Sequence, residues 1–293
     1  MTAAVFMGEG ILDAPCALTR IGGGLTNPAA PGFMLDATTS AVAFSVRKLR
    51  TAYSGSCMRV RRSGDNAESD IGFDVYGNLD LNALQNYVIA GGGAQNGYVV
   101  TWYDQSSTGL NATQATALAQ PQIVASGVAT IAGTTGRPSL LFADGQYLDT
   151  GATTVAQPFS VLWQTRPTTL GKWFDGITST TRGMVQVFAT SIQMFAGTVA
   201  STSAITTLNS DDVYTAIFNT TSSSLWQDGI IRINAQPVGS QNYTNIRIGG
   251  AFDLLTNFDG YIAELIWISG AIDSTTRISL NRNQGYYYNV TVA

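Results

Sequence analysis

From residue 137 to residue 270 the chain is a succession of short apolar stretches separated by turn residues, with no helical period between them. The stretches are SLLFADGQYLDTG (139–151), FSVLWQTRP (159–167), GMVQVFA (183–189), SIQMFAG (191–197), YTAIFN (214–219), SLWQDGIIRIN (224–234), NIRIGG (245–250) and GYIAELIWISG (260–270). Strands this short and this closely spaced have no crossover helices to cover them. They can bury their apolar sides only by pairing with neighbours and stacking as two layers, which predicts an antiparallel β-sandwich. Asp228-Gly229 between Leu225-Trp226 and Ile230-Ile231 is a hairpin signal, because both turn residues accept positive φ. Composition points the same way: the chain has 2 Lys and 3 Glu, both helix-favouring residues, against 31 Gly and 12 each of Tyr and Phe.

The first half of the chain is more varied. Val42, Val46, Leu49 and Tyr53 recur at helical spacing, so a helix is expected over 40–53 with Ser40 as N-cap and Gly55 as stop. A second is expected at 80–89, capped by Asp80 with Leu81, Leu84 and Val88 on one face. A closing helix is expected at 273–284, capped by Asp273 or Ser274, with Ile278 and Leu280 inward and Gly285 ending it. Met58 and Val60 alternate with Arg59 and Arg61 as in a strand, and YVVTWYD (98–104) reads as a buried strand. Six of the 15 basic residues lie in 47–62, and Asp65, Glu68, Asp70 and Asp74 follow closely, which predicts a locally neutralised network. Residues 1–36 carry Gly and Pro without a hydrophobic period, yet include Val5, Phe6, Met7, Ile11 and Leu12. They read as an N-terminal docking arm that packs on its own domain or on a neighbouring subunit, with the sandwich spanning 37–293.

Several chemistries are excluded by inventory. The 293 residues contain no histidine, which removes Ser-His-Asp and Cys-His nucleophile pairs and histidine zinc sites. A net charge of −4 argues against a dedicated nucleic-acid binder. No apolar run approaches the ~18 residues of a membrane span. The N-terminal MTAAVFMGEGILDAP lacks a basic region followed by an apolar core, so it does not read as a secretory signal. Cys16 and Cys57 fit neither a disulfide framework nor a CxxC metal site and are expected as free thiols. No D-x-[DN]-x-[DN]-G calcium loop is present, and neither a metal nor a cofactor is expected.

Two stretches carry more than periodicity. AVAFSVRKLRTAYSGSCMRVRRSGDNAESDIGF (41–73), followed by VVTWYDQSSTGLNATQ (99–114), resembles the α-L-arabinofuranosidase family whose catalytic domain is a β-sandwich, and the phage proteins that carry this module. RPSLLFADGQYLDTG through FDGYIAELIWISGAI and the final helix resembles the concanavalin A-like or laminin-G-like jelly roll. The resemblance covers roughly residues 37–293. It implies a retaining glycosidase site, which needs two carboxyl groups about 5–5.5 Å apart. In the family pattern the nucleophile is a Glu after a Met at the start of a central strand, and the acid/base is an Asp after a Gly-Gly pair. The matching segments here read Gly183-Met184-Val185-Gln186 and Gly249-Gly250-Ala251, so neither carboxylate is present at its position.

The other carboxylates read as structural. Glu264 matches a Glu common in laminin-G-like sandwiches and is expected to bond or pair with an arginine. Glu68 is expected as counter-charge to the arginine-rich strand. Asp65 and Asp104 are expected to bond turn backbones, and Asp211-Asp212 to be solvated at the start of a strand. Trp102, Trp163, Trp226 and Trp267 sit in strand patterns and are expected in the core. GKWFDG (171–176) reads as a loop, which makes Trp173 and Asp175 the candidate binding residues, a stacking aromatic beside carboxylate oxygens.

Three functions are consistent with these features. The leading expectation is a non-enzymatic bacteriophage virion protein, decorating the capsid or belonging to the tail, made in the host cytoplasm. Its expected partners are other virion proteins, reached through the arm, and further copies of itself. The second is a carbohydrate-binding or host-receptor tail module that holds a surface glycan. The third is an active arabinofuranosidase.

Overall fold

A computed structural model describes residues 33–143, 145–188, 190–202 and 208–293. Among the described residues nineteen short strands pair in antiparallel fashion. One layer runs, in spatial order, Ser40–Ser45, Gly260–Ser269, Phe159–Pro167, Asp212–Phe218, Ser223–Gln227 and Ile230–Gln236. The other runs Glu68–Ile71, Met58–Arg62, Gly97–Trp102, Ala112–Thr113, Leu148–Thr150, Arg247–Ile248, Gly171–Asp175, Met184–Phe188, Ser191–Phe195 and Val199–Ser201. Leu140–Phe142 joins the two, pairing with Gly260–Ser269 and through Gln122 with the second layer. This is the antiparallel sandwich that the strand spacing predicts. The compact unit starts at Phe33. Leu35 is fully buried and its N–H donates to Leu49 O at 2.9 Å, so residues 33–36 belong to the sandwich. The rest of the expected arm, including Cys16, lies outside the described residues.

The core between the layers is aromatic. Trp163 stacks on Tyr214 at 5.0 Å and meets Trp173 and Phe174 of the opposite layer at 5.4 and 5.2 Å. Phe174 in turn meets Trp267 edge-on at 5.2 Å. Aromatic pairs at these offsets add about 0.5–1.5 kcal/mol each beyond area burial. Of the four tryptophans expected in the core, Trp102, Trp163 and Trp267 are fully buried. Trp226 is half-buried, its ring covered at 4.4 Å by the Arg277 guanidinium.

The expected helix over 40–53 is not formed: Ser40–Ser45 is a strand and the following residues are irregular. Both faces of that strand are covered. Val42 and Phe44 face the inter-layer core, while Ala43 joins a second apolar cluster with Leu162, Ile266 and Leu280. A strand buried on both faces shows no alternation, so Val42, Val46 and Leu49 mimic a helical period although tertiary contacts place them. The Asp228-Gly229 hairpin forms as expected, with φ of 52° and 81° at the two turn residues.

Among the described residues two α-helices complete the fold. The first, α1 (Leu81–Ile89), is capped by Asp80, whose carboxylate accepts from Ala83 N–H at 2.9 Å. The second, α2 (Ser274–Tyr288), is capped by Asp273, which accepts from Thr276 N–H at 2.8 Å. It runs past Gly285 to a left-handed Asn289. Gly285 serves the return of the tail instead, since a Cβ there would meet Val292 Cγ2 at 2.5 Å and Val290 O at 2.6 Å.

Candidate functional site

The residues singled out for binding lie on the strand Gly171–Asp175, which is buried along its whole length. Trp173 is therefore not a loop platform. Neighbouring strands hold both edges of its segment, and a register shift between Lys172 and Phe174 lets Trp173 and Phe174 both reach the core. The glycine and charge pattern of GKWFDG reads as a loop, but Lys172 and Asp175 are both buried and bond to protein partners, Thr256 and Arg182, instead of water.

Asp175 is fully buried at the end of that strand. Arg182 grips it in a two-pronged pair, Nε to Oδ1 at 2.8 Å and Nη2 to Oδ2 at 2.5 Å. The N–H groups of Gly176 and Phe252 donate to the same carboxylate at 2.8 and 3.2 Å. Burial pushes the Asp175 carboxyl above the usual range, and the Arg182 charge opposes this. The guanidinium lies between two aromatic rings, 4.3 Å from Phe252 and 5.1 Å from Phe195. Every oxygen of Asp175 is thus engaged within the protein.

A second pair lies beside the first. Arg247 grips Asp149 at 2.8 and 2.7 Å, donates to Ala251 O at 3.0 Å and stacks 4.4 Å over Tyr147. Lys172 donates its Nζ to Thr256 Oγ1, and burial lowers its pKa. Gln186 and Gln193 bond across neighbouring strands at 2.7 Å. Val185, the residue after Met184, and Ala251, the residue after Gly249-Gly250, are both fully buried. The partnership of Asp175 with Arg182 and that of Asp149 with Arg247 leave no mark in the sequence pattern. Strand order brings Asp149 and Arg247 together, whereas Asp175 and Arg182 face each other across the connection between two consecutive strands.

The remaining carboxylates divide clearly. Glu264, fully buried, takes Arg47 Nε at 2.7 Å and Nη2 at 3.0 Å, together with the hydroxyls of Ser45 and Tyr288. Glu68 pairs with Arg59 at 2.9 Å, and Asp65 with Arg62 at 2.7 Å while also accepting from Ala67 N–H. Asp104 holds Ala43, Ser106 and Leu110 by their N–H groups and Ser106 and Thr108 by their hydroxyls. Asp74 closes its own turn instead of pairing with an arginine. Asp211 and Asp212 are not solvated: Asp211 takes Arg166 at 3.2 Å and Thr134 N–H at 2.8 Å. Asp212 is 3% exposed and takes Ser210 and Tyr214 hydroxyls. Cys57 is a free, buried thiol whose pKa is raised by burial. Among the described residues no group of three or more His, Cys, Asp or Glu is placed to hold a metal.

Neither a protein-family model nor a curated protein matches the chain. Among solved structures it is similar to a GH54 α-L-arabinofuranosidase soaked with a cyclic sulfate inhibitor, with a TM-score of 0.66 and 15% identity. A glutamate-to-glutamine mutant of a GH54 α-L-arabinofuranosidase soaked with 4-nitrophenyl α-L-arabinofuranoside gives 0.67 and 15%. An arabinofuranosidase complexed with arabinofuranosyl-α-1,2-xylobiose gives 0.65 and 15%. Each alignment covers 88% of this chain, which spans 65% of the other. At this identity the shared property is the arabinofuranosidase-like sandwich fold.

Proposed function

We propose that this chain is a non-enzymatic structural protein of a bacteriophage virion, in the capsid decoration or on the tail surface. It uses a glycosidase-like sandwich as an assembly and display surface. The observation that carries the non-enzymatic half is the state of the two positions where the family pattern puts its carboxylates. Val185 and Ala251 stand there, apolar and fully buried. The carboxylate nearest in the strand order, Asp175, is held by Arg182 and two backbone N–H groups. A retaining mechanism needs one ionised carboxylate free to attack and one protonated acid facing it. An aspartate whose oxygens are all bonded inside the protein supplies neither.

The virion half rests on the sequence: the resemblance of 41–73 and 99–114 to a module carried by phage proteins, an apolar N-terminal segment suited to docking, and only 12% charged residues. The full-length chain is incubated with 4-nitrophenyl α-L-arabinofuranoside, and release at the buffer rate is expected. Turnover that disappears in Asp253→Ala, the exposed aspartate nearest Ala251 in the chain, would overturn the non-enzymatic reading. Binding on a glycan array with no copy in purified particles would favour a receptor-binding module instead.

A further inference from the structure

The face of α2 that rests on the sheet is largely polar. Its buried residues are Leu280, Asn281, Gln284, Gly285 and Tyr288. Asn281, Gln284 and Tyr288 follow at three and four residues, so they line one face of the helix. Beneath them lie Thr215, Gln164 and Glu264 on three adjacent strands, in that order across the sheet. The two rows are tied at their ends. Thr215 Oγ1 donates to Asn281 Oδ1 at 3.1 Å, and Tyr288 OH donates to Glu264 Oε2 at 3.2 Å. Gln284 lies between Asn281 and Tyr288 on the helix, as Gln164 lies between Thr215 and Glu264 on the sheet. Gln164 and Gln284 therefore occupy the middle positions of the two rows.

All five side chains other than Tyr288 are 0% exposed, as is Tyr288 itself. Yet both amide atoms of Gln164, both of Gln284 and the Nδ2 of Asn281 have no hydrogen-bond partner among the described residues. Burying an amide without a hydrogen bond costs roughly 1–3 kcal/mol by mutational measures, so five such atoms in one seam call for a shared partner.

We propose that this seam is a built hydration site, in which ordered water bridges Gln164, Gln284 and Asn281 and so docks α2 on the sheet. The chemistry of the donor set selects water. Three amide nitrogens donate and two amide oxygens accept. A metal cation takes oxygen lone pairs, whereas three of the five atoms are NH2 donors. An anion would face the Glu264 carboxylate, whose charge is already matched by Arg47. Water donates and accepts at once, and buried waters typically make about three hydrogen bonds. Folded proteins hold about one buried water per 27 residues, so a cluster here is in proportion to the size of the chain.

The test is an atomic-resolution crystal structure of the full chain. At least one water within hydrogen-bond distance of both glutamine amides is expected. Direct bonding of the two amides to each other or to other protein atoms, or a cation in the seam, would overturn the proposal. Thermal melting gives an independent readout. Gln164→Leu and Gln284→Leu should each lower Tm, because each leaves the water and the other amide short of partners. The double variant should recover most of that loss, because the whole polar set is then gone. Losses that add in the double variant, or that are absent in the single ones, would show that no shared water couples the two residues.

Discussion

The Asp228→Asn variant should be more stable than the parent at pH 8 and equal to it at pH 4. Asp228 is the first turn residue of its hairpin, with φ of 52°. Its Oδ1 accepts from Val213 N–H at 2.9 Å, and its own N–H donates to Val213 O at 2.8 Å. Burial, reinforced by the like charge of Asp212, raises its carboxyl pKa from an ordinary 3.8 to about 7, with Arg232 opposing the rise. A carboxyl whose folded pKa is raised binds its proton more tightly in the folded state. Its contribution is therefore fully present below about pH 4 and is lost as pH rises through about 7. Three pK units correspond to about 4 kcal/mol, and solvent screening of a half-buried group brings this to on the order of 2 kcal/mol.

Asparagine keeps the acceptor for Val213, accepts positive φ before Gly229, and carries no charge. At pH 8 it should restore that 2 kcal/mol, about 4 °C in Tm for a domain of this size. The assay is calorimetric melting of both proteins from pH 4 to 8. The difference between them cancels the titration of the carboxylates they share, apart from Asp212, which interacts directly with Asp228. A Tm difference independent of pH, or a variant less stable at pH 8, would refute the argument.

Other perturbations have equally definite outcomes. Arg47→Met strands the fully buried Glu264 carboxylate and should destabilise by about 3–5 kcal/mol in urea melts. Glu264→Gln, which keeps an acceptor, should cost less. Trp173→Ala removes a ring packed against Trp163 and Tyr214 and should cost about 3–5 kcal/mol of stability. A change in surface binding without that loss would contradict its place in the core. Asp104→Ala leaves three N–H groups and two hydroxyls without their acceptor and should cost about 3 kcal/mol, read by urea melting. In a Cys16→Ser background, Cys57 should react with a thiol reagent only on unfolding, because it is buried and its thiolate disfavoured. Rapid labelling of the native protein would contradict this.

The strands after residue 137 were legible because each is short, apolar and bounded by turn residues. Phe159–Pro167 and the Asp228-Gly229 hairpin are where periodicity and turn chemistry put them. Ser40–Ser45 was not, because a strand covered on both faces loses the two-residue alternation that marks it. The helix caps Asp80 and Asp273 were legible as local devices, and so were the turn-bonding roles of Asp65 and Asp104. The site was harder. Asp175 and Trp173 read from the sequence as an exposed pair. Their burial depends on Arg182, seven residues along, and on strands more than seventy residues away. Asp211 and Asp212 looked solvated for the same reason. Arg166, the partner of Asp211, lies 45 residues earlier, and single-sequence patterns carry no information about such pairings; Asp212 is instead covered within its own strand and bonded by Ser210 and Tyr214.

The central claim is that the chain is a particle component with a glycosidase-like frame. Electron cryomicroscopy of intact particles tests it most directly. The account predicts density for the sandwich at a repeated position on the capsid lattice or the tail. Particles in which every surface density is explained by other chains, with no copy of this one, would contradict it.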